Sequence, residues 1–406
     1  MEERTGGRRG YTSKAERYRR GIGRLLAALV LLAGFSAPVQ QIAALPEQVS
    51  IAQGSALALS LPFPLQAQAD GACLQVASAQ EGVASIGGEV LRLQGQSEGS
   101  ARVTLRLMGI VPVKSMNVSV KEEKMLIPGG SLIGVAIKTQ GVLLVGTSDV
   151  GAQESPARAA GLRAGDSILA LNGQEVQGAE DLTAQIAISE GEPLRLTISR
   201  AGENYSALVT PVRDERDGIW RLGAWVRDST AGVGTLSFID PETGRYGALG
   251  HSISDIDTQT RMLLSEGAIY DGAVADVRRG APGAPGELVG SFYGEKSSLG
   301  SIDRNTDFGI YGRYDSAPQG KAVPVMPRGQ VRTGPALIIS QVDNGPPRAY
   351  ACEITRVMRQ DAPAQRGLVV QVTDAELLAK TGGIVQGMSG SPIIQDGKLV
   401  GAVTHV

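Results

Sequence analysis

The chain has 406 residues, 42% of them hydrophobic, so it is long enough for roughly two to three domains and can bury at least one core. Its 54 glycines and 4% aromatic residues favour short strands joined by tight turns over a helical bundle. The formal net charge of -2 gives no reason to expect a nucleic-acid partner. Two histidines, two cysteines and no His-Glu-x-x-His or Walker-type motif lead us to expect neither a metal nor a cofactor.

Residues 1–45 are predicted to direct export. Residues 1–24 carry eight Lys or Arg and three Glu, and residues 25–35 (LLAALVLLAGF) are uncharged and mostly apolar. A basic stretch before about eleven apolar residues is typical of a secretory signal, although the apolar run is short for a membrane span. Both a cleaved signal peptide and an uncleaved signal anchor remain open, because no clear Ala-x-Ala cleavage site follows. The basic flank places the remainder of the chain outside the cytoplasm.

Residues 46–122 predict a small β-domain without visible chemistry. Apolar residues alternate or cluster at 57–62, 101–110 and 114–121, and glycine, serine and glutamine interrupt them. Whether Cys73 and Cys352 pair stays open, because spacing in the sequence does not decide geometry.

Residues 125–212 contain a run that is typical of one module. The stretch 155–173 (SPARAAGLRAGDSILALNG) predicts a short helix, a glycine stop, a strand and an Asn-Gly turn. It resembles the most recognisable part of a PDZ domain, an α+β module. The resemblance implies that backbone amides of a loop at Ser131, Leu132, Ile133 and Gly134 bind the terminal carboxylate of a peptide, which adds as a strand to the sheet edge.

Residues 213–406 contain the candidate catalytic groups. A nucleophilic serine needs a tight turn that exposes its hydroxyl, with neighbouring amides directed at the developing oxyanion. The segment 387–392 (GMSGSP), between two predicted strands, meets both needs. It makes Ser389 the candidate nucleophile and the amides of Gly387 and Ser389 the candidate oxyanion hole.

A serine hydroxyl needs a neighbouring base, which is usually histidine. His251 ends the glycine-rich segment 247–251 (GALGH), where its ring can be exposed at a strand end. His405 lies on an alternating strand, which favours a structural role. The sequence therefore favours His251 as the general base.

These features occur in a specific order along the chain. An export segment, a PDZ-like run and GALGH are followed by 277–292 (VRRGAPGAPGELVGSF) and 381–406 (TGGIVQGMSGSPIIQDGKLVGAVTHV). In this order the chain resembles the stage IV sporulation protein B (SpoIVB) peptidases, family S55, which are serine endopeptidases of chymotrypsin-like type. The resemblance implies a mainly β, multi-domain chain in which residues 213–406 form a chymotrypsin-like double β-barrel.

The same resemblance implies a catalytic triad of His251, Asp374 and Ser389, with Asp374 orienting the histidine. Asp303 and Asp307 lie nearer the middle of the interval between His251 and Ser389, and Asp307 remains the alternative acid. Asp374 also fits the N-cap of a surface helix. Because the relatives continue beyond the position of Val406, we expect a C-terminally incomplete peptidase domain.

The resemblance further implies a role in sporulation signalling. We expect protein or peptide substrates, including a membrane-bound regulator of an intramembrane protease, together with self-cleavage, self-association through the PDZ domain and membrane contact through the N-terminal segment. The implied location is the space between the two membranes of a developing spore. The alternatives are a non-catalytic PDZ adaptor with an inactive protease-like domain and a general envelope quality-control protease.

Overall fold

The computed structural model describes residues 34–61, 65–80, 89–107, 109–292, 298–358 and 364–406. Within these ranges the α-helices are α1 (Ala37–Ala43), α2 (Pro156–Ala159), α3 (Ala179–Ile188) and α4 (Ala375–Thr381), and a short 3-10 helix spans Arg328–Gln330. The first strands are β1 (Gln48–Ala52), β2 (Ala56–Leu61), β3 (Leu65–Asp70), β4 (Leu74–Gln80), β5 (Glu89–Gly95), β6 (Gly99–Leu107), β7 (Val111–Lys121), β8 (Met125–Pro128) and β9 (Leu132–Thr147).

The remaining strands follow in chain order. They are β10 (Ser167–Leu171), β11 (Gln174–Glu175), β12 (Leu194–Arg200), β13 (Glu203–Val209), β14 (Val212–Arg213), β15 (Trp220–Arg221), β16 (Ala224–Ile239), β17 (Arg245–Ala248), β18 (Leu264–Arg278), β19 (Glu287–Phe292), β20 (Ser298–Thr306), β21 (Gly309–Tyr314), β22 (Val323–Pro324), β23 (Gly334–Ser340), β24 (Arg348–Val357), β25 (Leu368–Val372), β26 (Pro392–Gln395) and β27 (Lys398–Ala402).

The chain divides into two compact units, and the first comprises residues 1–123 and 327–330. Its strands form a four-stranded sheet in the order β1-β7-β6-β3 and a three-stranded sheet in the order β2-β5-β4. Alternating apolar side chains of both sheets share one core, which includes Leu91, Leu93, Val103, Leu105 and Met116. Cys73 is a free, buried thiol in this core.

The second unit, residues 124–326 and 331–406, contains a closed β-barrel. Six strands pair antiparallel in the cyclic order β9-β18-β20-β21-β17-β16, and β16 returns to pair with β9. The inward-facing side chains form a continuous core that includes Ile133, Ile269 and Ile310. Closing the ring removes exposed sheet edges.

The PDZ-like residues of this unit extend from the same two long strands. β9 continues past Gly141 and pairs with β10, while the first residues of β16 pair with the last residues of β9. α2 and α3 pack on this extension, and Leu182, Ile186 and Leu196 lie in its separate core. The barrel and the PDZ-like part therefore share two continuous strands.

The last sheet of the unit has five strands in the order β25-β24-β23-β26-β27. Its core contains Ile338, Leu377 and Met388, so α4 and the turn that carries Ser389 are anchored on it. Cys352 on β24 is a free thiol, and burial raises its pKa to about 11.

The expected fold class, a mainly β and multi-domain chain with a PDZ domain, is confirmed. The predicted apolar segment 25–35 lies almost entirely outside the described residues. Among the residues that are described, no helix has the length and apolar character needed to span a membrane.

Candidate active site

Ser389 lies on a tight turn between α4 and β26. Gly387 and Gly390 flank the turn with φ angles of +92° and +101°, a conformation that glycine adopts without strain. The Ser391 amide donates to the Met388 carbonyl at 2.9 Å, and the side chains of Met388 and Ser391 are fully buried. The two buried neighbours fix the turn, and Ser389 between them remains half-buried.

The amides proposed for the oxyanion hole are available in this turn. The Thr235 hydroxyl donates to the Gly387 carbonyl at 2.8 Å, and the Thr235 amide donates to the Ser389 carbonyl at 3.0 Å. Both carbonyls of the turn are thereby held against β16. Within the described part of the chain, the amides of Gly387 and Ser389 have no acceptor. Two unpaired N–H groups beside a serine hydroxyl are the donors that a developing oxyanion requires.

The serine turn contacts the segment that leads to His251. A Cβ added at Gly390 would collide with the Thr235 carbonyl and would lie 2.7 Å from the Leu249 amide. That amide itself donates to the Thr235 carbonyl at 3.1 Å. Thr235 therefore joins the serine turn of one sheet to the histidine segment of the barrel.

Val403, after β27, completes this connection. Its carbonyl accepts the Gly390 amide at 2.7 Å, and it would lie 3.0 Å from a Cβ added at Gly250. Gly250 has a φ of +73° and directly precedes His251. The structure thus brings the expected nucleophile and the expected base into one neighbourhood from sequence positions 138 residues apart (389 - 251).

His251 is half-buried, and its Nδ1 lies 2.9 Å from the Ser252 carbonyl. Because a carbonyl only accepts hydrogen bonds, this contact requires a proton on Nδ1 and leaves Nε2 of the neutral ring as the basic nitrogen. Within the described ranges, His251 forms no hydrogen bond with Ser389 or with a carboxylate. Catalytic hydrogen bonds are often long before substrate binds.

The second histidine lies near the first. His405 is exposed, and its Nδ1 lies 2.8 Å from the hydroxyl of Thr404, which packs against Gly250. Burial lowers the pKa of His405, and the charges of Arg366 and His251 lower it further. His405 was expected on a strand, but β27 ends at Ala402, so the histidine lies beyond it and interacts electrostatically with the candidate base.

Asp374 does not contact His251. It is the N-cap of α4, and its carboxylate accepts the amides of Glu376 and Leu377 at 3.0 Å and that of Ala351 at 3.2 Å. The bond from the Leu377 amide is the largest cause of its lowered pKa. In this structure its lone pairs serve the helix end, and the assignment of Asp374 as the orienting acid stays a prediction.

The alternative acids are also engaged elsewhere. Asp307 forms an ion pair with Arg261 at 2.8 Å, and Asp303 lies 3.4 Å from Arg245. Both pairs are on the surface of the barrel, and within the described ranges neither carboxylate forms a hydrogen bond with His251.

Comparison with known proteins agrees with this geometry. Residues 218–406 match the family model of the SpoIVB peptidase S55, and residues 148–200 match that of the PDZ domain. The S55 segment contains the Ser389 turn, His251 and five of the six strands of the barrel, while β9 precedes it.

Curated relatives match shorter parts of the chain. A putative zinc metalloprotease of Bartonella henselae is 34% identical over 22% of this chain and 24% of its own length. A putative zinc metalloprotease of Lactococcus lactis is 34% identical over 25% and 22%. Tricorn protease homolog 1 of Streptomyces coelicolor is 35% identical over 35% of this chain and 13% of its own length. The chain thus spans about a quarter or less of each of these relatives.

The predicted carboxylate-binding loop is not a loop in the structure. Leu132, Ile133 and Gly134 form the start of β9, paired with β16 on one side, and Ile133 and Gly134 also pair with β18 on the other. The Ser131 carbonyl accepts the Leu236 amide at 3.0 Å. The assignment of Ser131–Gly134 to peptide binding is wrong, because both edges of this strand are used to close the barrel.

A loop beside the PDZ-like part, outside the residues that match the PDZ model, has the features expected of a carboxylate-binding loop. Leu222 and Gly223 connect β15 to β16, and their carbonyls accept the amides of Ala157 and Ser148 at 2.8 and 3.0 Å. Gly223 has a φ of +65°. In the part of the chain that the structure describes, the amides of Leu222 and Gly223 have no acceptor.

The strand after this loop lies beside α3. The Asp228 carboxylate of β16 accepts the Ala179 amide at the start of α3 at 3.0 Å, and Gly191 beyond the end of α3 packs against Trp220. A strand edge, a helix alongside it and unpaired amides at one end form the arrangement in which a PDZ domain binds a peptide terminus. The available sequence signal was the Leu-Gly pair directly before β16, which lies after the PDZ-like run instead of before it.

Proposed function

We propose that this protein is a serine endopeptidase of the SpoIVB type. One observation supports the proposal above the others: Ser389 lies on a glycine-flanked turn with two unpaired amides, and Thr235 ties that turn to the segment that carries His251. This arrangement fits acyl transfer, in which a serine attacks a carbonyl and neighbouring amides stabilise the oxyanion.

In the proposed reaction, the Ser389 Oγ attacks the scissile carbonyl while the His251 Nε2 accepts the hydroxyl proton. The amides of Gly387 and Ser389 then donate to the oxyanion of the tetrahedral intermediate. His251 returns its proton to the leaving amine, which breaks the peptide bond and leaves an acyl-enzyme. Water deprotonated by the same Nε2 hydrolyses the ester and restores Ser389.

The proposed substrate is a membrane-bound regulatory protein, cleaved outside the cytoplasmic membrane during sporulation. In this proposal residues 1–45 direct export and hold the chain at the membrane until it cleaves itself. The PDZ domain selects a chain terminus of the substrate or of a second copy. The order of the motifs along the chain and the match of residues 218–406 to the S55 family model support this role.

A non-catalytic PDZ adaptor is the second candidate. The observation that favours it is that His251 forms no hydrogen bond with Ser389 or with a carboxylate within the described ranges. The metal chemistry named for the zinc metalloprotease relatives is not proposed for this chain, because its sequence contains no His-Glu-x-x-His motif. A general envelope protease stays the weaker alternative, because in such enzymes the PDZ domains follow the protease domain.

A fluorophosphonate that reacts with activated serines separates the two candidates. We expect it to label the full chain and to leave Ser389→Ala and His251→Ala unlabelled. Circular dichroism should show that both variants are folded. Ser206→Ala, on an exposed strand of the PDZ domain, is the matched control and should label normally. Absence of labelling in a folded wild-type chain would favour the adaptor.

Fractionation of a tagged full-length chain tests the location. We expect it outside the cytoplasmic membrane, and a cytoplasmic pool with an intact N-terminus would contradict the proposal.

A further inference from the structure

The ring of His251 is oriented by a backbone carbonyl, and the peptide group that supplies this carbonyl is itself held. In the peptide group between Ser252 and Ile253, the Ser252 carbonyl oxygen accepts a hydrogen bond from His251 Nδ1–H at 2.9 Å. Its N–H donates to the Asn305 side-chain oxygen at 2.8 Å. A single rigid peptide plane therefore lies between the imidazole and Asn305.

Asn305 makes two further hydrogen bonds to the same segment. Its side-chain nitrogen donates to the Ile253 carbonyl at 2.8 Å and to the Met262 carbonyl at 3.0 Å. Ile253 and Met262 are themselves joined by an amide-to-carbonyl bond of 3.1 Å and pack in the barrel core. Asn305 thus holds together the two ends of the loop 254–261, which follows the candidate catalytic histidine.

The amide orientation of Asn305 is determined by its partners. One contact is a backbone donor and two are backbone acceptors, so only an oxygen facing the Ile253 amide and a nitrogen facing the two carbonyls satisfy all three. Aspartate at this position keeps the hydrogen bond from the Ile253 amide but places a carboxylate oxygen against the Ile253 and Met262 carbonyls. Leucine, which has a similar volume, forms none of the three hydrogen bonds.

We propose that Asn305 is a positioning residue for His251: it fixes the peptide plane whose carbonyl holds the imidazole with its proton on Nδ1. The proposal rests on the function proposed above, and in this structure the His251 ring is held by the Ser252 carbonyl, with no carboxylate within the described ranges bonded to it. Hydrogen bonds in a chain polarise one another, so the Asn305 contact also strengthens the carbonyl as an acceptor.

Kinetics of Asn305→Leu and Asn305→Asp test the proposal. We expect kcat for a short fluorogenic peptide to fall about 10–100-fold in Asn305→Leu, as is typical when an orienting partner is lost, with KM changed less than about twofold. Asn305→Asp should lie between the leucine variant and the wild type, because it keeps the acceptor for the Ile253 amide. The control is Asn204→Leu, at an exposed position of β13.

A second measurement does not depend on activity. The chain has two histidines, so a His405→Gln background leaves the ring of His251 as the single histidine signal in ¹⁵N NMR. We expect the Nδ1–H tautomer when Asn305 is present and a shift toward the Nε2–H tautomer in Asn305→Leu. An unchanged tautomer in the folded variant would overturn the proposal, whatever happens to kcat.

The two readouts also separate this proposal from the proposed function. A wild-type chain without peptidase activity would refute the function, and the tautomer would still decide the role of Asn305. If Asn305→Leu does not fold, Asn305→Ala, which also removes all three hydrogen bonds and adds no bulk, decides in the same way, by its tautomer and by a kcat below that of Asn204→Leu.

Discussion

Arg227 of β16 forms an ion pair with Asp255, whose side chain is fully buried near the start of the loop 254–261 that follows His251. The same guanidinium binds the Asp257 carboxylate at 2.9 Å. Burial opposes ionisation of Asp255, but hydrogen bonds from Thr258 and Arg227 outweigh it and lower its pKa. Arg227 belongs to β16, whose first residues lie beside the PDZ-like part of the chain. This pair therefore connects that end of β16 to the loop 254–261.

Arg227→Met should destabilise the second unit. The substitution keeps the apolar stem of the side chain but leaves the buried Asp255 charge without its counterion, which costs about 2–3 kcal/mol, at the low end for a buried pair because Arg227 is partly exposed. Urea unfolding measures the loss. Arg245→Met, which removes a surface pair with Asp303, should cost less than about 1 kcal/mol. Equal losses of unfolding free energy in the two variants would show that the burial of Asp255 does not strengthen its ion pair with Arg227.

Replacing Asp374 tests the helix-cap assignment against the triad assignment. Asparagine caps helices nearly as well as aspartate, so Asp374→Asn should change kcat by less than about threefold, whereas Asp374→Ala should lose about 1 kcal/mol of stability. An orienting acid of a triad would instead lose on the order of 10⁴ in rate as the asparagine variant. Peptide hydrolysis and urea unfolding of both variants decide between the assignments.

The pH dependence of stability provides a further check on Asp374. Its pKa is lowered in the folded state, first by the Leu377 amide, so its contribution is present above the pKa of the unfolded chain and is lost as pH falls. Between pH 6 and pH 3 the wild type should therefore lose more unfolding free energy than Asp374→Asn. Parallel losses would show that this carboxylate is not hydrogen-bonded in solution.

Local patterns predicted those parts of the site that depend on adjacent residues. The Ser389 turn follows from glycines on both sides of the serine, and the Asp374 cap was visible as an alternative because an N-cap involves only the next three residues. The closed barrel depends on pairing β9 with β16 and β18, whose paired residues lie 77 to 138 positions later, and no local pattern specifies such partners. For the same reason Gly134 was predicted in a loop, although the strand around it has two partners.

Gly134 provides a direct test of that correction. A Cβ at this position would collide with the ring of Phe292, which stacks on Tyr270. Gly134→Val should therefore destabilise the barrel by overpacking, about 1–3 kcal/mol or more, and lower hydrolysis of both protein and short peptide substrates. Gly232→Val is the control, because this glycine is exposed on β16, has open space for a side chain and has no positive φ. Selective loss of protein cleavage by a fully stable Gly134→Val would restore the carboxylate-loop assignment.

Peptide binding should occur at the loop of Leu222 and Gly223. These two amides are unpaired and precede the strand edge beside α3, so a terminal carboxylate can accept both while the peptide adds as a strand. Titrating the ¹⁵N-labelled chain with a peptide that has a free C-terminus should shift the amide signals of Leu222, Gly223 and Ala224. The same peptide with an amidated C-terminus should leave them largely unchanged, because it lacks the charge that the amides bind. Shifts confined to Leu132–Gly134, or equal shifts with both peptides, would show that this loop is not the carboxylate site.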